Sequence, residues 1–67
     1  MLSDVAELIE RAWLSVMMCN DLDENTSAEL LLLLEDVRAE LKRARTERYE
    51  RRLRSLVEFV LDEVELA

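Results

Sequence analysis

Oxygen-bearing side chains at alternate positions give one segment the spacing of a calcium-binding loop. Asp21, Asp23 and Asn25 match the first three ligand positions of an EF-hand. The sixth position, however, is Thr26 where the sharp turn needs glycine, and the twelfth is Leu32 where the loop needs a bidentate glutamate. Because the strongest ligand is missing, the segment is interpreted as a polar turn before a helix, and no metal is expected.

The sequence offers almost nothing for catalysis. It contains no histidine and no glycine, which removes Ser/His/Asp and Cys/His arrangements and the glycine loops that hold phosphate. Carboxylate-bridged metal bundles usually need a Glu-x-x-His motif, which a chain without histidine cannot supply. Cys19 is the single cysteine, so it has no partner for an intrachain disulfide and suits a reducing compartment. We therefore expect a non-enzymatic protein with no cofactor.

Basic residues are concentrated in one segment. Eight of the nine lie between positions 38 and 54, and a cluster of arginines can contact phosphates or an acidic protein surface. The candidates for such a contact are Arg43, Arg45, Arg48, Arg51 and Arg52. The formal net charge of −7 repels a polyanion, and three glutamates interrupt the cluster. A salt-bridged helix surface is the favoured interpretation, with an acidic protein partner second and nucleic acid third.

Carboxylates form a cluster of the opposite sign further along the chain. It contains Glu58, Asp62, Glu63 and Glu65. Proteins that imitate DNA, some phage-encoded inhibitors among them, present rows of carboxylates, so a phage-type acidic inhibitor is kept as an alternative. Acidic surface is common, however, and a net charge of −7 is modest for such a protein.

Composition predicts an all-α fold. Glycine and proline, each normally about 5–7% of residues, are both absent, and Leu, Glu, Arg and Ala dominate. No stretch alternates apolar and polar residues for long enough to predict a strand. No apolar run approaches the roughly 20 residues of a membrane span, and the acidic N-terminal segment lacks the basic region of a secretory signal. We expect a single helical domain over residues 1–67, without membrane contact and in the cytoplasm.

Apolar spacing places two helix starts. A 4-3-4-3 repeat, typical of a coiled-coil seam, predicts a first helix over about residues 4–19. Its members are Val5, Ile9, Ala12, Val16 and Cys19. Residues 20–26 form the predicted loop, and Thr26 and Glu29 have the spacing of a capping box that starts a second helix near residue 27. The stripe of that helix continues at Leu30, Leu34, Val37 and Leu41.

Two architectures fit the rest of the chain. The favoured one is a helical hairpin whose long second helix covers about residues 27–65 and assembles with other chains into a helical bundle. In the alternative, the second helix is broken near residues 45–47, where Thr46 can cap, and a three-helix bundle results. The hairpin leaves the second half of the long helix uncovered by its own chain. We therefore expect an interface between chains at Leu53, Leu56, Val57, Val60, Leu61 and Val64.

The run of five leucines from Leu30 to Leu34 indicates protein on several sides of one helix. Five successive positions of a helix point in every direction, whereas a surface helix normally has a single apolar stripe. We expect Leu31 or Leu32 to be covered by a second chain or by a partner. Helical spacing of Trp13, Met17 and Met18, by contrast, favours packing of the first helix in the core.

Together these patterns predict a protein-protein interaction module. It would be a small acidic helical adaptor or structural subunit that self-associates or docks on a larger partner. A nucleic-acid-associated regulator that uses the arginines of residues 38–54, or a phage-type acidic inhibitor, is the alternative.

Overall fold

Three α-helices pack against one another to form the molecule. The computed structural model describes the backbone of residues 2–67 and the side chains from Asp4 onward. The helices are α1 (Leu2–Met18), α2 (Glu24–Leu41) and α3 (Glu47–Leu66). Every pair of helices is in contact, and no strand occurs within residues 2–67. The all-α prediction is confirmed, and the arrangement is the three-helix bundle.

The long second helix is not present, so the favoured continuous helix over about 27–65 was wrong. The chain leaves α2 at Leu41, where the amide of Arg43 donates to the Glu40 carbonyl at 2.9 Å. A new helix then starts at Thr46, whose backbone is extended and whose hydroxyl accepts from the Tyr49 amide at 3.2 Å. The cap replaces the hydrogen bonds that the break removes.

Burial of the α3 stripe explains why the chain turns back. A straight helix would have carried this stripe away from α1, whereas the turn lays it on α1 and α2. Burying each such side chain completely stabilises the fold by about 1.5–3 kcal/mol. The resulting core consists of Val5, Ile9, Ala12, Val16, Leu30, Leu34, Val37, Leu41, Leu53, Val57 and Val60. The stripes predicted for the first two helices are thereby confirmed, except that Cys19 is half-buried.

The start of α2 lies three residues before the predicted one. Asp23 is the N-cap, and its Oδ1 accepts a hydrogen bond of 2.7 Å from the Thr26 amide. The capping-box prediction at Thr26 and Glu29 was therefore wrong. An aspartate caps as well as a threonine and adds a negative charge at the positive end of the helix dipole. Hydrogen bonding by the side chain and the amide of Thr26 holds the pKa of Asp23 below its usual value.

The two turns determine the directions of the helices and hence which segments lie at the same end of the bundle. α1 and α2 are antiparallel, and their register is marked by an ion pair of 3.4 Å between Glu10 and Arg38. α3 runs parallel to α1, since Asp4 and Glu47 line one groove and Ser15 and Glu65 line another. The turn at residues 19–23 and the C-terminal part of α3 thus lie at the same end of a molecule 36 Å long.

Candidate interaction surfaces

The predicted interface on the third helix is mostly inside the bundle. Leu53, Val57 and Val60 belong to the core of their own chain, and Leu61 and Val64 pack against it half-buried. The prediction that this stripe lies between chains was wrong for Leu53, Val57 and Val60, because the turn at residues 42–46 returns them to α1 and α2. Contact of the half-buried Leu61 and Val64 with another chain stays a prediction. Leu56, 39% exposed, is the most accessible of the six predicted residues.

The leucine run on α2 divides as its helical positions dictate. Leu30 and Leu34 are buried, and Leu31 and Leu33 pack half-buried beside them. Leu32 points away from the core and is 62% exposed. No second chain is described, so contact of Leu31 or Leu32 with another protein stays a prediction.

The last turns of α1 carry apolar side chains into solvent. Met17 is 62% exposed and Met18 is 77% exposed, so the prediction of core packing was wrong for both, whereas Trp13 packs half-buried against the core. The two methionines lie roughly 110–150° around the helix from the Val5–Val16 stripe, too far for the core to cover them. Leu14, 58% exposed, was missed by sequence reasoning, although its position nearly opposite that stripe was a usable signal.

The register of α1 and α2 brings Met17 of α1 next to Leu31 of α2 on one side of the bundle. Seven residues, about two helical turns, separate Glu10 from Met17 and Arg38 from Leu31. Because the helices are antiparallel, moving two turns along both helices from the Glu10–Arg38 pair leads to Met17 and Leu31, which therefore lie opposite each other. Leu14 and Leu32 flank that position on the outer sides of their helices. We define the α1/α2 apolar surface as Leu14, Met17, Leu31 and Leu32, whereas Met18 lies on the other flank of α1, that of Arg11 and Ser15.

Exposed carboxylates border the α1/α2 apolar surface. Glu10 lies one turn before Leu14 on α1 and pairs with Arg38. On α2, Glu24 lies two turns before Leu31, and Glu35 lies nearly one turn after Leu32. The border therefore favours a positively charged partner.

The five candidate arginines are all exposed and surround the second turn. Arg43 pairs with Glu40 at 3.8 Å, and Arg45 lies in the turn itself. The other three lie on the first two turns of α3 and line a shallow groove there. Its lining consists of Thr46, Arg48, Tyr49, Arg51, Arg52 and Ser55. Burial and a hydrogen bond to the Glu40 carboxylate raise the pKa of Tyr49, which ties the start of α3 to the end of α2.

Charge is distributed unevenly along the bundle. Residues 11–37 and 58–67, which we call the acidic half, contain ten of the sixteen carboxylates and one of the nine basic residues. The remaining residues form the basic half, with eight basic residues and six carboxylates. The α1/α2 apolar surface lies in the acidic half, whereas the arginines surround the far end.

Within residues 2–67, no group of three potential ligands is arranged to hold a metal ion, and no described helix is long and apolar enough to cross a membrane. The Asp23 carboxylate, a candidate ligand by spacing, caps α2. No protein-family model, curated protein or solved structure matches this chain.

Proposed function

We propose that the chain is a non-enzymatic protein-interaction module that binds a basic amphipathic helix of a partner on its α1/α2 apolar surface. The observation that carries the proposal is the exposure of three large apolar side chains, Leu14, Met17 and Leu32, each 58–62% accessible, around the α1/α2 boundary of a bundle whose core is already complete. In water these side chains gain nothing for the fold, and a partner would remove them from solvent. The free thiol of Cys19 suits a reducing compartment such as the cytoplasm.

The residue types of the surface support a helical partner. Methionine is flexible and polarizable, and Met-rich surfaces are used to bind the apolar faces of helices. The acidic border at Glu10, Glu24 and Glu35 complements lysines or arginines that flank such a face. A basic partner would also be attracted by the whole acidic half before contact is made.

A designed peptide provides the test. The probe is a helical peptide built only of leucine and lysine, with leucines along one face, titrated into isotope-labelled protein and followed by backbone amide shifts. We expect saturable binding whose largest shifts fall at residues 14–18 and 28–35. Leu32→Asp should weaken binding by about tenfold or more, because it replaces an exposed apolar side chain of the contact by a charge.

Two controls make the result decisive. Leu66→Asp is the same substitution at an even more exposed leucine, 83% accessible and outside the surface, and should leave binding unchanged. A peptide with glutamate in place of lysine keeps the apolar face and should not bind at low salt. Shifts spread evenly over the acidic half, or equal affinities of the Leu32→Asp and Leu66→Asp variants, would overturn the proposal.

A second candidate function rests on the groove at the start of α3. Three arginines, a tyrosine and two hydroxyl side chains gather there, a set that can bind phosphates. If the protein binds nucleic acid, a gel shift at about 50 mM salt should weaken strongly at about 200 mM, because each neutralised phosphate releases counterions. Arg51→Gln should weaken it further, and absence of a shift at both salt concentrations removes this candidate.

A further inference from the structure

A second helical seam runs along the outer side of α3. Its members are Tyr49, Arg52, Leu56, Phe59, Glu63 and Leu66. They repeat with 3-4-3-4-3 spacing, which keeps them on one side of a helix that pairs with another helix in a coiled coil. The seam lies about 100° around the helix from the buried Leu53–Val60 stripe. We call it the α3 seam.

The α3 seam faces solvent beside α2. Glu50, Arg54 and Glu58 line the grooves between α3 and α1, which places the seam on the other side of α3, beside α2. The three aliphatic and aromatic members beyond Tyr49 are all exposed: Leu56 by 39%, Phe59 by 51% and Leu66 by 83%. The bundle's own helices leave this row uncovered.

Read from its two ends, the seam is self-complementary. If a second copy of α3 is laid against it in the opposite direction, with the centre between residues 57 and 58, Leu56 meets Phe59 of the other copy. In the same register Arg52 meets Glu63, and Tyr49 meets Leu66. Two-fold symmetry repeats each pair, so apolar positions meet apolar ones and opposite charges meet throughout. A parallel alignment would instead place Arg52 on Arg52 and Glu63 on Glu63.

The charge of the whole molecule favours the same orientation. An antiparallel pair places the basic half of one copy beside the acidic half of the other, and a parallel pair would bring the two acidic halves together. Charge complementarity at the seam and along the bundle therefore identifies one occupant, a second copy of this chain.

We propose that two copies associate through the α3 seam as an antiparallel pair of α3 helices, held in register by Leu56–Phe59 contacts and by Arg52–Glu63 ion pairs. A contact over one helix is at the small end of specific interfaces, below about 1,200 Å², so the dimer is weak and reversible. The inference goes beyond the proposed function and uses no residue of the α1/α2 apolar surface. A dimer would present that surface twice.

Charge reversal tests the register. Sedimentation equilibrium between about 10 µM and about 1 mM should show a monomer-dimer equilibrium for the natural sequence. Arg52→Glu or Glu63→Arg alone should each weaken dimerisation by about tenfold or more, because like charges then face each other twice. The double variant should regain dimerisation, and so should an equimolar mixture of the two single variants. Positions 52 and 63 are eleven residues apart, about 16 Å on one helix, so the regain cannot arise within a chain.

Matched controls separate the seam from net charge and from the proposed function. Glu58→Arg makes the same charge change as Glu63→Arg on the side of α3 that faces α1, and should leave dimerisation unchanged. Phe59→Asp should give a monomer while helical circular dichroism is retained. A natural sequence that stays monomeric throughout, or a double variant as weak as the single ones, overturns the α3 seam and leaves peptide binding at Leu32 to be judged by its own experiment.

Discussion

Leu32 and Leu34 are the same residue two positions apart, yet one lies in solvent and the other in the core. A helix turns by about 200° over two residues, so their side chains point to nearly opposite sides. The type of residue therefore carries less information than its position around the helix. The same geometry separates Met17 from Val16 on α1.

Alanine substitutions at these two leucines should have very different effects on stability. Leu34→Ala should lower the free energy of unfolding by about 2–5 kcal/mol, because it leaves a cavity among fully buried neighbours. Leu32→Ala should change it by less than about 0.5 kcal/mol, because it removes only exposed atoms. Urea unfolding of dilute protein measures both, and comparable losses would contradict the described burial.

The cap at Asp23 should make stability depend on acid. The pKa of Asp23 is lowered in the folded protein, so its charged carboxylate stabilises the fold fully at pH values above the ordinary pKa of 3.8. This contribution disappears as the pH falls through the lowered pKa. Asp23→Asn keeps a capping side chain without the charge. The two proteins should therefore differ in unfolding stability at neutral pH and converge in strong acid. A difference that is constant with pH would assign the cap's effect to something other than its charge.

At the scale of the elements, the sequence was sufficient for the stripes and insufficient for the break. The spacing of Val5–Val16 and Leu30–Leu41 identifies which side of each helix is buried, because helical period alone decides it. Whether α2 stops before Thr46 depends on the free energy that α3 gains by packing against α1. That contact joins residues more than forty positions apart. The residue types at positions 42–46 do not reveal the energy of that long-range contact.

The candidate surfaces, too, could be predicted from the sequence only in part. Sequence reasoning selected Leu32 and Leu56 as interface residues, and both are exposed. It also assigned Leu53, Val57 and Val60 to an interface, because a continuous helix would have exposed them. Because the core occupies those three positions, the exposed apolar side chains of α3 belong to the next row around the helix, which is the α3 seam.

Removal of the Thr46 hydroxyl should weaken the turn between α2 and α3. Thr46→Ala eliminates the hydrogen bond from the Tyr49 amide and should lower the free energy of unfolding by about 0.5–2 kcal/mol. Thr46→Ser keeps an oxygen at the same place and should cost much less. Thermal unfolding of the two variants under identical conditions gives the comparison, and equal losses would show that the cap is not what begins α3.

At the scale of the whole molecule, one chain contains a complete core, and the proposed dimer would use a surface separate from that core. Folding and dimerisation are then linked only by mass action, so the pair should stabilise the fold in proportion to its population. The melting temperature of the natural sequence should rise with protein concentration, by roughly 4–8 °C for each kcal/mol that association adds. The melting temperature of Arg52→Glu should rise much less with concentration, while Glu58→Arg should behave like the natural sequence. If all three proteins melt at temperatures independent of concentration up to about 1 mM, the α3 seam does not bring two copies together.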